Sequence, residues 1–362
     1  MNRLLSFYKD KNVFITGSTG FIGAWLCAVL AEYGAYVTGF ALPPAKESLY
    51  NICDIGKLIK NNTNGDVRDF DQLYDAFRAG KPDIVFHLAA QPDTREGFAN
   101  PAYTYEINLL GTINIMECMR LTECVHSAIN LTADIAYLNN KWSGVFSEHE
   151  APGGYGPYTV SKSCAELITQ SYVKSFFRKG IPAISTVRTG CSIGGGDFAD
   201  NRLVPDFITS IRKCKPLLIK NQNSIIPYLH VLDTINALLM IAEEQFENMH
   251  IAGAYNIGPN EYNLVTAGAF ADLLCSSWGS GAIWSGKIAK QDHEPEPIGP
   301  DYTNISHSLM WQPTWNIEEA VKRTVDWYKA YINGEDPALV VEKQIYDFAG
   351  IHKWPLIKLY SS

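Results

Sequence analysis

With 362 residues, 46% of them hydrophobic, the chain can bury a large core as one big domain or two fused lobes. A formal charge of −8 and the lack of a dense Lys/Arg patch argue against nucleic acid as a partner. No apolar stretch approaches membrane-spanning length, and the first ten residues lack the apolar core of a signal peptide, so a membrane partner is not expected either.

Asn12–Thr16 reads as a buried strand, followed by a glycine-rich turn and a helix from Ala24 to Tyr33. Tyr36–Phe40 reads as a strand, Phe70–Ala79 as a helix, Ile84–His87 as a strand and Tyr103–Leu121 as one long helical run. Ser127–Leu131 (strand), Tyr158–Arg178 (helix) and Ala183–Arg188 (strand) continue the alternation. Strands alternating with crossover helices predict an α/β fold, a doubly wound parallel Rossmann-type sheet whose ligands lie at the carboxyl ends of the strands.

From Ser192 the texture changes to loops, short strands and Pro-rich connections, including an acidic stretch from Asp292 to Asp301. The expected organisation is a cofactor-binding domain over residues 1–191 and a smaller, partly interleaved C-terminal substrate-binding lobe over 192–335. Some segments of that lobe return to the sheet. Asn316–Ile332 has the apolar spacing of an amphipathic helix, and 336–362 reads as an appended tail. The eight cysteines form no Cys-x-x-Cys pair and no metal-ligand spacing, which predicts a reduced, cytoplasmic compartment and no metal site.

Two local patterns carry chemistry. Gly17, Gly20 and Gly23 follow the first strand and open a helix, as Gly-x-x-Gly-x-x-Gly rather than Gly-x-Gly-x-x-Gly. Such a turn lets a pyrophosphate approach the backbone, and the helix N-terminus adds free N–H groups and positive dipole. The second pattern is Tyr158-x-x-x-Lys162, which places a phenol and an ammonium one helical turn apart. A nearby ammonium and a nicotinamide cation would lower the phenol's pKa and let it act as a base.

These motifs, with Asp66-Val67-Arg68-Asp69, His87-Leu88-Ala89-Ala90 and Asn108, resemble the extended short-chain dehydrogenase/reductase superfamily. The runs Ala89-Ala90-Gln91-Pro92 with Arg95, Ile193-Gly194-Gly195-Gly196-Asp197 and Asp200-Asn201-Arg202-Leu203 resemble in particular the CDP-glucose 4,6-dehydratases. The likeness spans about residues 11 to 332.

That resemblance implies NAD as cofactor, a nucleotide sugar as substrate and a homodimer. It implies Tyr158 as base at the C4 hydroxyl of the hexose, Lys162 as its tuner and ribose anchor, and Asp134 as acid at C6. Gly17, Thr19, Gly20, Phe21, Ile22, Gly23, Asp66, Val67, Leu88, Ala89, Ala90, Asn108 and Thr132 would join Tyr158 and Lys162 around the cofactor. Gln91, Arg95, Cys191, Arg202, Leu203 and His230 would face the substrate. NAD preference is not marked by an acidic residue after Phe40: the sequence runs Ala41 to Lys46 before Glu47, and Lys46 would either tolerate a 2′-phosphate or simply be solvated.

The departures from the resemblance fall where chemistry is expected. Ala133 stands in place of a Ser or Thr, Ile135 in place of a base at C5, Cys191 in place of an Asn, and Ile226 in place of a phosphate-holding Arg. Thr132 precedes Ala133, but neighbouring strand side chains point to opposite faces. Glu148, His149 and Glu150 lie where they could reach the cleft mouth. Three readings stay open: a 4,6-dehydratase, an epimerase or dehydrogenase without elimination, and a lapsed nucleotide-sugar-binding homologue.

Overall fold

Six apolar or β-branched runs and one polar run build a single seven-stranded sheet. The computed structural model describes residues 2–138, 146–177, 181–259, 264–286 and 301–350. We label the strands β1 (Asn12–Thr16), β2 (Tyr36–Ala41), β3 (Asn61–Asn64), β4 (Ile84–His87), β5 (Ser127–Ala133) and β6 (Ala183–Thr189). The seventh is Ala254–Ile257. The order is Ala254–Ile257, β6, β5, β4, β1, β2, β3, and every neighbouring pair is parallel.

Strand order reverses between β1 and β4, so a crevice opens beyond their carboxyl ends. β5 and β6 are buried at every position, as strands covered on both faces must be. On one face, Phe21–Glu32 and Val231–Glu247 supply Trp25, Leu26, Leu238 and Ile241 to the core. On the other, Phe70–Gly80 and Gly111–Thr122 pack Phe77, Ile115 and Met119 against Phe14.

Three elements differ from the sequence reading. The run from Tyr103 to Leu121 divides into Pro101–Tyr105, a widened π turn Glu106–Leu110, and Gly111–Thr122. The widened turn carries Asn108, whose Nδ2 donates to Ser161 Oγ (2.8 Å) and the Gln91 carbonyl (3.1 Å). β3, sequence Asn-Asn-Thr-Asn, escaped the apolar pattern because it is a polar edge strand. The segment read as a tail begins with the helix Pro337–Phe348, which buries Val341, Ile345 and Phe348 in the main core.

Beyond β6, short strand pairs form the second wall of the crevice: Cys191–Ile193 with Tyr228–His230, Ile225–Ile226 with Val265–Thr266, and Leu217–Ile219 with Trp284–Gly286. Val231–Glu247 and Ala254–Ile257 then return to the large sheet. The helix expected at 316–332 spans Ile317–Asn333. Most of the acidic Pro-rich stretch, and residue 178, lie outside the described residues.

Candidate active site

A cleft of about 1580 Å³ runs along the carboxyl ends of the strands. Single small-molecule sites span roughly 300–1,000 Å³, so this one has room for two large ligands side by side. One end is the glycine turn. Gly17 sits at φ +76°, and a Cβ there would lie 2.8 Å from the Ala89 nitrogen. Gly23 packs so closely that a Cβ would lie 2.1 Å from the Gly17 carbonyl. The helix Phe21–Glu32 starts at Gly20 with no side-chain cap, leaving its first-turn N–H groups toward the cleft. Backbone cradle and uncapped helix N-terminus together suit a pyrophosphate.

Thr19, Phe21, Ile22, Asp66, Val67 and the run Leu88–Ala90 line the same end. Arg68 holds the Asp66 carboxylate through its backbone N–H (2.9 Å) and guanidinium (2.7 Å), which keeps Asp66 below its ordinary pKa. Neither Lys46 nor Glu47 lines the cleft. Glu47 is tied to Arg212 (2.7 Å) and Tyr331 (3.0 Å). The residues present therefore fit an adenine dinucleotide.

Tyr158, Lys162 and Asp134 all line this cleft, and the Asp134 charge acts on the Tyr158 phenol. The helix Pro157–Ser175 brings the first two, and the end of β5 brings the third. Lys162 is buried, and its Nζ donates to the Leu131 carbonyl at 3.1 Å. Burial lowers its pKa to about 8, while the Glu166 carboxylate opposes that fall. Asp134 donates its N–H to the Thr189 carbonyl at 3.1 Å. Burial pushes its carboxyl up to about 7, against backbone hydrogen bonds that favour the charge.

The protein's own groups act on the Tyr158 phenol. Burial, then the Asp134 charge, push the phenol above its ordinary value, with Arg202 opposing. His87, one strand over, is held neutral: burial and the Lys162 charge lower it to about 3, and Thr16 Oγ1 lies 2.7 Å from its Nδ1.

Toward the mouth, Gln91, Arg95, Cys191, Arg202, Leu203 and Ile226 line the wall. Arg202 pairs with Asp197 at 2.9 Å, and Arg95 contacts the Asn201 side-chain oxygen. Cys191 opens onto the cleft, but desolvation and then the Asp134 charge push its thiol up to about 12, so it is no thiolate at neutral pH. The Gln91 amide is turned away, donating to Thr104 Oγ1 (2.7 Å) and the Asp93 carbonyl (3.0 Å).

Of the residues assigned to cofactor or substrate, His230 and Asn108 do not line the cleft, and neither do Glu148, His149 and Glu150. His230 is fully buried, its Nδ1 accepting from Leu232 N–H and its ring against Trp25 and Trp315. Asn108 lies behind the cleft, where its Oδ1 accepts from Gln91 N–H at 2.8 Å. Thr132 lines the wall, yet its hydroxyl is held by Glu166 Oε1 (2.6 Å) on the far face of the strand. Glu148, too, is turned inward, accepting from Asn256 N–H at 2.8 Å. Thr189, Asp206 and Lys220 also line the cleft. Thr189 and Asp206 fall in runs that the sequence singles out, at the end of β6 and after Asp200, but no residue pattern gives them a role, and nothing in the sequence marks Lys220. Among the described residues no acidic, His or Cys cluster could hold a metal, and no helix is long and apolar enough to cross a membrane.

Comparison with known proteins agrees with this architecture. A CDP-glucose 4,6-dehydratase of Salmonella typhimurium is 35% identical over 351 residues, covering 95% of this chain and 97% of that protein. A dTDP-glucose 4,6-dehydratase of the same organism is 25% identical, over 88% of this chain and 92% of its own. The solved UDP-glucose 4-epimerase of Thermotoga maritima shares the fold at a TM-score of 0.76 and 22% identity, covering 89% of this chain and 99% of its own. The UDP-glucuronic acid 4-epimerase of Bacillus cereus, solved with UDP-glucuronic acid and NAD, does so at 0.73 and 21%, covering 88% and 99%. Residues 13–258 match the NAD dependent epimerase/dehydratase family, and the chain belongs to that family.

Proposed function

We propose that this protein is an NAD-dependent nucleotide-sugar 4,6-dehydratase, acting on CDP-glucose or a related nucleotide hexose. The observation that carries this reading is that Tyr158, Lys162 and Asp134 line the same cleft as the glycine cradle, a cleft large enough for two ligands. The similarity to a CDP-glucose 4,6-dehydratase over nearly the whole chain supports it.

When bound, NAD supplies an acceptor for the hydride that leaves C4. Gly17 to Gly23 would hold its pyrophosphate, Asp66 and Leu88 to Ala90 its adenosine side, and Lys162 its nicotinamide ribose. Tyr158 takes the C4 hydroxyl proton as that carbon is oxidised. The Lys162 ammonium, still charged below about pH 8, favours the phenolate. Asp134, which keeps its proton below about pH 7, gives it to the departing C6 hydroxyl. Arg202 and Arg95 face the diphosphate.

Ile135 favours a second reading. Its side chain is 46% exposed on the cleft wall where a C5 base is needed, and it can remove no proton. Oxidation at C4 followed by reduction on the other face would give an epimerase; product release would give a dehydrogenase. Mass spectrometry after incubation with NAD and a panel of nucleotide hexoses in deuterated water separates the two. Loss of water with deuterium at C5 supports the dehydratase; isomerisation or net oxidation overturns it.

The exposed Leu110, Leu121, Leu167 and Phe176 lie on the neighbouring helices Gly111–Thr122 and Pro157–Ser175 or at their ends. We read them as the self-association face of a homodimer, and the reduced cysteines as fitting the cytoplasm.

A further inference from the structure

We infer that Thr189 supplies the substrate-binding hydroxyl that Ala133 lacks. This rests on the proposed oxidation of a nucleotide hexose in the same cleft. Ala133 and Thr189 are register partners at the carboxyl ends of β5 and β6. Paired positions on parallel strands face the same side of the sheet, so the threonine side chain stands beside the methyl group of Ala133. Both residues line the cleft with Asp134 and Tyr158.

Thr189 is 8% exposed, and its Oγ1 is a buried oxygen with no hydrogen-bond partner. Buried hydroxyls are nearly always paired, so one left open on a ligand cleft points to a ligand group as its partner. Thr132, the other threonine at this strand end, cannot serve. Its hydroxyl is held between Glu166 Oε1 (2.6 Å) and the Val187 carbonyl (3.2 Å), on the opposite face.

The Thr189 carbonyl accepts the Asp134 N–H at 3.1 Å, which fixes the threonine next to the acid. Gly190 follows, with no side chain between Asp134 and the strand. A threonine hydroxyl can donate and accept. It can therefore donate to the sugar oxygen that is losing its proton to Tyr158, and hold that oxygen in line for oxidation. The site thus keeps a hydroxyl where Ala133 removed one, displaced by one strand.

The test moves the hydroxyl between strands. Thr189→Val, Thr189→Ser, Ala133→Ser and Thr189→Val/Ala133→Ser are compared with wild type in single-turnover oxidation of CDP-glucose and UDP-glucose, with NAD bound. Calorimetric Kd values for CDP-glucose and CDP supply a readout apart from turnover. Thr189→Val should slow oxidation roughly 10²-fold, weaken CDP-glucose binding, and leave CDP binding and thermal unfolding unchanged. Thr189→Ser should stay near wild type, and the double variant should recover much of the loss. A Thr189→Val protein that oxidises and binds like wild type overturns the inference and leaves the functional reading standing. So does a loss that the double variant fails to repair at unchanged unfolding temperature. A wild-type protein that neither binds nor oxidises any nucleotide hexose overturns the functional reading, and this inference with it.

Discussion

The Asp134 carboxylate and the Tyr158 phenol, both half-buried, line one cleft, and the charge of the first disfavours ionisation of the second. Protonating Asp134 removes that opposition. The acid form needed at C6 is therefore also the form in which Tyr158 more readily takes up its role as base.

A pH dependence follows from this pairing. The Asp134 carboxyl is raised to about 7, so it keeps the proton it must give below that pH and loses it above. Loss of water should therefore fall as pH rises through about 7. Asp134→Asn should reduce elimination roughly 10²–10⁴-fold, the usual contribution of a positioned acid, and abolish that limb. It should leave NAD binding intact. Product mass spectrometry across pH checks both, and an unchanged limb in the variant would assign the titration to another group.

Removing the phenol separates binding from chemistry. Tyr158→Phe keeps the ring that packs against the cleft and deletes only the proton acceptor. Oxidation at C4 should drop roughly 10²–10⁴-fold, while affinities for NAD and CDP-glucose stay within a few-fold. Stopped-flow absorbance of NAD reduction and calorimetry report the two quantities separately. Rapid turnover by Tyr158→Phe would remove Tyr158 from the role of base.

How much of this was legible in sequence depends on whether local pattern or tertiary placement decides. β1 and β4 match their predicted bounds, because short β-branched and aromatic runs between turn residues leave little choice of register. The helix after the glycine turn begins at Phe21 rather than Ala24, since a helix start needs no apolar periodicity. Strand alternation pointed Thr132 away from Ala133, and its hydroxyl does face Glu166. His230 shows the limit. Its sequence context is the same for an interior histidine and a cleft histidine, and only packing against Trp25 and Trp315 separates them. Thr189 stands in the sequence at a strand end where ligands are expected, but its role is not legible for a similar reason: what sets it apart is the missing partner of one oxygen.

Gly190 is where the backbone makes room for the acid. A Cβ there would lie 2.7 Å from Asp134 Oδ2 and 3.0 Å from both Pro227 Cγ and its carbonyl oxygen. The carboxylate can swing aside, but the Pro227 backbone cannot move without shifting the strand Tyr228–His230. Gly190→Ala should destabilise the fold by about 1–3 kcal/mol, the range for overpacking. It should lower elimination by more than it lowers C4 oxidation, because Asp134 is the group displaced. Urea denaturation with parallel assays of the two steps tests this, and equal losses in both steps would show a general distortion instead.

Glu166 joins the site to the core. Its carboxylate takes Arg188 Nε at 2.6 Å and contacts the same guanidinium a second time, with both side chains 1% exposed or less. Arg188 also donates to the Tyr137 hydroxyl at 2.7 Å, which reaches Asn256 Oδ1 at 2.5 Å. Glu166→Gln keeps the shape but leaves the guanidinium buried without a counter-charge, which should cost about 3–5 kcal/mol of stability. The same carboxylate opposes the burial-driven fall of the Lys162 pKa from its ordinary value to about 8. Without it, burial acts unopposed and the Lys162 pKa falls further. On the proposed role of charged Lys162 in favouring the phenolate, the alkaline limb of C4 oxidation should move to lower pH in Glu166→Gln. A purely structural role for Glu166 would reduce the unfolding free energy and leave that limb in place, so denaturation and the pH profile of NAD reduction together decide between the two.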